Sequence, residues 1–337
     1  MTLELLGITV LGIFLFGYVI IGSIDFGAGF YSTYSDWAGK KHMIHRVIQR
    51  YLSPVWEVTN VFLVFFFVGI VGFFPKTAYY YGTALLIPGS VSIILLAIRG
   101  SYYAFSNYGA PDRKLYSVLY GITGVLIPAS LTTVLTISEG GFITVEGDKV
   151  TLQLGELLTN PYSWSVVMLA FVSVLFISAS FLTYYANKAN DLKAQTLLRK
   201  YALLWSAPSI LSALVVMYML RFQNPIHFER MIEIGWLFVL SFICFIVAVY
   251  FIYKGIHFGW AFLAVVMQYA FAFFAYGFSH YPYLLYPYLT IYDGFTNETM
   301  AKALVVVFIL GLCVLIPSLY LLMKLFLFNH DYVKGQK

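Results

Sequence analysis

The chain has 337 residues, of which 61% are hydrophobic, 19% aromatic and only 10% charged. A soluble domain carries about 25% charged residues, so this composition excludes a soluble enzyme or binding module and defines a polytopic membrane protein. The formal net charge of +5 is then topology information and not a nucleic-acid footprint.

A membrane span needs about 20 mostly apolar residues. Nine segments meet that length: 5–24, 52–74, 79–98, 115–137, 162–186, 197–220, 234–253, 258–278 and 304–326. The expected fold is therefore all-α, a single integral membrane domain over 1–337 with nine transmembrane helices. The first stretch lacks a basic n-region and a small-residue cleavage site, so it is read as a retained helix. Nine spans put the termini on opposite sides, and the basic residues choose the side. Lys40, Lys41, Arg46, Arg50, Arg99, Arg113, Lys114, Lys188, Lys193, Arg199, Lys200, Lys254, Lys324, Lys334 and Lys337 fall on one face; Lys76, Lys149, Arg221, Arg230 and Lys302 fall on the other. This bias places the N-terminus outside and the C-terminus in the cytoplasm.

The loops are short. The largest, 138–161, is acidic, carrying Glu139, Glu146, Asp148 and Glu156. Its "VEGDKVTLQ" reads as a small hairpin, with Gly-Asp as the turn between β-formers. This loop is expected to be solvated or to pack on a partner. The loop 279–301 is rich in Tyr and Pro, and its tyrosines, with Tyr79, Tyr80 and Tyr81, read as an aromatic belt. Cys244 and Cys313 have no metal or redox spacing and are expected to be small core residues.

A weak internal repeat is visible. "IQRYLSPVW" enters the second span and "LRKYALLWSAP" the sixth, each placing a basic residue before a Tyr, a Trp and a Pro. The repeat would pair helices 1–4 (1–137) with helices 5–8 (162–278) and leave helix 9 (304–326) over. Pro88, Pro128 and Pro317 lie inside spans, where they are expected to kink helices whose freed backbone groups neighbours re-satisfy.

Charge inside the spans is concentrated in one place. Asp25 closes the first span within "GSIDFGAGF", Glu57 lies about one turn into the second, and Arg99 closes the third. All three fall at similar depth near the cytoplasmic face. Intramembrane carboxylates mark proton and ion routes, so one reading is a proton relay. The other is a helix-packing clamp, or side chains that snorkel to the interface. Gly22, Gly27 and Gly29 allow close approach of a neighbouring helix or subunit.

A membrane-embedded b-type cytochrome needs axial histidines within its spans. His42, His45, His227, His257, His280 and His330 fall in loops, at span ends or in the tail. Met could supply one axial ligand, but the pattern argues against haem in this chain. No phosphate loop, nucleophile elbow or zinc spacing is present. A proton-coupled transporter is a second class to weigh, although transporters place polar groups at the midplane and these lie near one face. A purely structural scaffold subunit is a third.

Together, "GSIDFGAGF", "IQRYLSPVWEVTNVFL", "FFPKTAYYYGTALLIPGSVSIILLAIRGS" and the nine spans resemble subunit II of cytochrome bd-type quinol oxidases, most strongly over residues 10–105. Asp25, Gly27 and Gly29 match the family pattern at the end of span 1, with Ile24 replacing a glycine. Pro54, Trp56 and Val61 match at the start of span 2, where Glu57 stands at the acidic position, Thr59 at an Asn position and Phe62 at a second Trp. Arg99-Gly100 matches after span 3, but the acidic residue that commonly follows is replaced by "YYAFSN". The resemblance implies two four-helix bundles plus one peripheral helix. It implies a homologous, haem-bearing subunit I holding haem b and haem d, which oxidises quinol and reduces oxygen, in the cell membrane of a prokaryote. This chain would bind no haem. Asp25 and Glu57 would carry protons inward, with Arg99, Trp56, Thr59 and Asn60 as electrostatic or structural partners. A bound quinone and small single-helix accessory subunits are compatible with it; nucleic acid is not.

Overall fold

The computed structural model describes residues 2–39, 41–108, 114–147, 149–322 and 324–325, with side chains at 41–43, 45, 46, 49–58, 103–108, 114 and 116 not described. The chain is helical almost throughout. Helix α1 (Leu3–Trp37) starts at Thr2, whose hydroxyl caps the Leu5 amide. Its 35 residues rise about 52 Å at 1.5 Å per residue, well beyond a hydrocarbon core of about 30 Å. Asp25 therefore sits inside a continuing helix and not at its end. From Gly22 to Gly29 every residue of α1 is buried, so this half of the helix is surrounded on all sides.

Helix α2 (Lys41–Phe73) runs back beside α1 and breaks at Phe74. Pro75 opens the short helix α3 (Pro75–Ala84), bent 120° from α2. Where a third span was expected from position 79, the chain has the end of α3, a break at Leu85 and then α4 (Leu86–Tyr108). Helices α5 (Lys114–Leu131) and α6 (Thr133–Ser138) follow, with Pro128 inside α5. Strands β1 (Ile143–Glu146) and β2 (Lys149–Leu152) form the expected hairpin, with Gly147 at φ +61° in the turn. Its Phe142, Ile143 and Val150 are buried in a core with Ala84, Leu157 and Leu285. One face of the hairpin is therefore packed on this chain, while Thr144, Glu146, Lys149 and Thr151 on the other are exposed.

The second half comprises α7 (Leu154–Thr159), α8 (Pro161–Lys188), α9 (Leu192–Gln223), α10 (Pro225–Glu233), α11 (Gly235–Lys254) and α12 (Phe258–His280). A two-strand loop, β3 (Tyr283–Leu285) and β4 (Leu289–Thr290), leads to α13 (Glu298–Leu322). Among the described residues seven helices are long and apolar enough to cross a membrane, the first six of these including 117–138 and 258–280, or eight if the bent α2–α3 pair is one span. Helix α4 adds a shorter apolar run over 86–102. Nine segments were expected on hydropathy; the difference lies in α2 and α4, whose residues 51–58 and 103–108 are described by their backbone alone.

The centre of the molecule is α1 against α2, α5 and α8. The main core joins Ile24, Ala28 and Tyr31 of α1 to Leu175, Ile177 and Leu182 of α8. Apolar side chains also cover the outside: Val314 of α13 is 70% exposed and Leu211, Val239 and Ile246 are similarly bare. Such a surface faces hydrocarbon or another subunit. Cys313, expected in a core, lies on this outer face.

Candidate functional site

The only buried ion pair without a histidine among the described residues joins α1 to α4. Arg99 is 1% exposed and Asp25 3%. Arg99 Nε donates to Asp25 Oδ2 at 2.7 Å, and the guanidinium also donates to the Asp25 carbonyl oxygen at 2.6 Å. Its other NH2 group donates to the Tyr120 carbonyl at 2.9 Å and to Thr123 Oγ1 at 3.2 Å, both on α5. The Tyr120 hydroxyl donates to Asp25 Oδ1 at 3.0 Å. The guanidinium carbon lies 4.1 Å from the Tyr120 ring centre and 5.3 Å from that of Phe26. A buried charge of either sign is costly to desolvate, and only a full set of partners offsets it. Arg is suited to this because its planar fork reaches several acceptors at once. The pair fastens α1, α4 and α5 at one depth.

The glycines make the approach close enough. A Cβ at Gly27 would lie 2.3 Å from Ser178 Cβ on α8, and one at Gly29 would lie 2.6 Å from the Tyr120 carbonyl oxygen. Ser178 uses this proximity to donate to the Ile24 carbonyl at 2.9 Å. At Gly22 the nearest α2 atom to such a Cβ is Thr59 Cγ2, at 3.6 Å.

The expected site residues thus divide into three sets. Asp25 and Arg99 are brought together, with Gly27 and Gly29 beside them. Thr59, which is buried, and Asn60, which is half-buried, lie on the α2 face near Gly22. The side chains of Glu57 and Trp56 lie outside the described residues. Their backbone is in α2, and because α2 runs antiparallel to α1 with Thr59 opposite Gly22, position 57 is level with Ile24 and Asp25. Tyr120, Thr123 and Tyr18 were not singled out from the sequence. Tyr18 is two turns from Asp25 on the same face of α1, and its buried hydroxyl has no hydrogen-bond partner.

His227 and His280 are bonded into a cluster with Glu139. His257 edges an open groove of about 550 Å³ that Met267 also lines.

A bundle of long apolar helices, apolar on its outside and joined within by a buried ion pair, is an integral membrane protein. Sequence comparison specifies which. The profile of the cytochrome bd terminal oxidase subunit II family matches residues 3–326, and the chain belongs to that family. It is 35% identical over 344 residues to the putative cytochrome bd menaquinol oxidase subunit II of Bacillus subtilis (strain 168), covering 99% of this chain and 98% of that protein. Its fold matches a chain of the bd oxidase from Geobacillus thermodenitrificans with a TM-score of 0.85 and 65% identity, over 98% of this chain and 100% of that one. The protein is a subunit of a cytochrome bd quinol oxidase, an oxidoreductase complex of respiratory electron transport. Haems belong to that complex, and a subunit I accompanies this chain in it.

Proposed function

We propose that this chain is the haem-free subunit of the oxidase, supporting the haem-bearing subunit and contributing a proton-entry path from the cytoplasmic side. The observation that carries the path is the buried Asp25–Arg99–Tyr120 cluster, with position 57 level with it and the Tyr18 hydroxyl two turns further along α1. Intramembrane carboxylates with hydroxyl neighbours are the usual components of proton routes. The basic residues cluster at this end of the chain's spans, which supports a cytoplasmic location for it, nine spans in all and an N-terminus outside.

The two halves support a repeat of helices 1–4 and 5–8. In each, two long helices are followed by a short one opened by proline, α3 at Pro75 and α10 at Pro225. Helix α13, largely exposed and touching only α1 and α2 among the long helices with more than slight contact, fits a peripheral ninth helix. Small single-helix subunits and a quinone would find room on the exposed apolar faces. The relatives named above support the cell membrane of a prokaryote, and menaquinol as the quinol class.

The close geometry of the ion pair favours a second reading, a structural clamp without proton traffic. The neutral double variant Asp25→Asn/Arg99→Gln separates them. It keeps polar contacts while removing both charges, so neither is left buried alone. The path predicts an assembled complex with a normal haem spectrum, slower turnover per haem and reduced proton uptake from the inner side; Glu57→Gln should act in the same direction. Wild-type turnover per haem in the assembled double variant would leave only the clamp. Haem retained on this chain after the partner is stripped away would refute the haem-free assignment.

A further inference from the structure

At the end of the bundle away from Asp25, a second buried cluster takes no part in the reading above. Glu139 follows the last turn of α6, and its residue is 1% exposed. His227 on α10 and His280, the last residue of α12, face it. His227 Nδ1 lies 2.9 Å from both Glu139 carboxylate oxygens, and His280 Nε2 lies 3.9 Å from Oε1. Asn224 Nδ2 donates to Oε2 at 3.0 Å, and the Tyr276 hydroxyl donates to Oε1. The two imidazole centres are 4.9 Å apart.

The outer nitrogens of both rings decide where their protons are. His280 Nδ1 is 2.8 Å from the Tyr283 carbonyl oxygen, which can only accept. His227 Nε2 is 2.7 Å from Ser279 Oγ, whose hydroxyl also reaches the Tyr276 carbonyl oxygen at 2.9 Å. With its proton on that carbonyl, Ser279 accepts from His227 Nε2. A neutral imidazole has one N–H, and in each ring it is committed outward. His227 Nδ1 and His280 Nε2 then present lone pairs toward a carboxylate, and His280 Nε2 is also 3.2 Å from the Ser138 carbonyl oxygen. Lone pairs gathered in a buried site repel unless something positive lies among them.

Protonation of the rings or a bound cation supplies that charge, and a single imidazolium serves only one of the two histidines. Both rings could be imidazolium, which sets two like charges side by side against one carboxylate in a site that burial makes hostile to charge. One divalent cation satisfies all three groups at once. A tetrahedral ion with N and O ligands at about 2.0–2.1 Å sets ligand atoms roughly 3.4 Å apart, and the observed separations of 2.9 and 3.9 Å bracket that value. Outer ring nitrogens that donate to a carbonyl or hydroxyl oxygen are the usual support of metal-bound histidines.

We propose that Glu139, His227 and His280 bind one divalent transition metal ion of the zinc class. Two imidazoles and a carboxylate suit such an ion, whereas calcium and magnesium take oxygen ligands. The ion joins α6, α10 and the end of α12, three segments far apart in sequence, and steadies the packed loops on that face.

The purified oxidase complex, washed with a chelator and dialysed against Zn²⁺ alone, tests this by metal analysis against haem content and by thermal unfolding. One tightly held Zn²⁺ per complex is expected, with a higher Tm on adding the ion back. Glu139→Gln and His280→Gln should each lower Zn²⁺ affinity at least tenfold and abolish the Tm response. X-ray absorption at the zinc edge of the wild-type complex keeps the question decidable if those variants fail to assemble: two imidazoles and one carboxylate oxygen are expected. No zinc above background in the assembled wild type, a ligand shell without two imidazoles, or unchanged binding in assembled variants would overturn the proposal.

Discussion

Arg99 holds Asp25 twice, once through the carboxylate and once through the backbone carbonyl of the same residue. The second bond ties the guanidinium to the α1 backbone as well as to a side chain. It is available because Gly29, one turn further along α1, leaves the face toward Arg99 bare: a Cβ there would be 3.1 Å from two guanidinium nitrogens. Charge pairing and small-residue packing are thus parts of one device at this depth.

Removing one partner of such a pair strands the other. Arg99→Ala is expected to destabilise the complex by about 3–5 kcal/mol, the usual range for an uncompensated buried charge. Arg99→Lys keeps the charge but has no planar fork, so it cannot serve Asp25, Tyr120 and Thr123 together. It should lie between the wild type and Arg99→Ala. Adding Asp25→Asn to Arg99→Ala should cost less than the sum of the two single changes. Thermal unfolding followed by haem absorbance measures all four proteins.

Two glycines provide a paired test of packing. Gly27→Ala places a methyl 2.3 Å from Ser178 Cβ and 2.8 Å from the Val174 carbonyl oxygen, so α1 and α8 must move apart. A loss of about 1–3 kcal/mol is expected. Gly82→Ala, in exposed α3, meets nothing within 4 Å and should be neutral or stabilising by up to about 1 kcal/mol through helix propensity. If both changes lower the Tm equally, close packing at Gly27 is not the cause.

Much of this arrangement was legible in the sequence. Asp25 and Arg99 stood out because charge is rare in such spans, and depth counting placed them together. The glycines beside Asp25 pointed to close packing. Tyr120 and Thr123 did not stand out: the chain has 28 tyrosines, and nothing in position 120 itself says that it faces Arg99. Glu139, His227 and His280 were each seen at a span edge or in a loop, but they come from segments 88 and 53 residues apart, and no local spacing joins them. The start of α4 at Leu86 did not stand out because apolar composition continues through the break at Leu85. Only the backbone reveals that break.

Tyr120→Phe isolates one hydrogen bond of the site. The ring that stacks over Arg99 is retained, and the bond to Asp25 Oδ1 is lost. A hydrogen bond to a charged group contributes about 1.5–3 kcal/mol, so a loss at the lower end is expected, with haem content unchanged. Unfolding curves and pyridine-haem content report the two quantities separately.

Tyr18→Phe asks whether the polar network continues inward. The Tyr18 hydroxyl is buried and without a hydrogen-bond partner, so its removal takes away no interaction and relieves an unsatisfied group. On stability grounds alone the variant should be neutral or slightly more stable. On the proton-path reading the same hydroxyl is the next polar group beyond Asp25 and Tyr120, and its loss should slow oxygen consumption several-fold at saturating quinol while leaving assembly and spectrum intact. The two quantities then move in opposite directions, which a packing defect cannot produce. Turnover equal to the wild type in a fully assembled Tyr18→Phe complex would end the path at Asp25, or turn it along another helix.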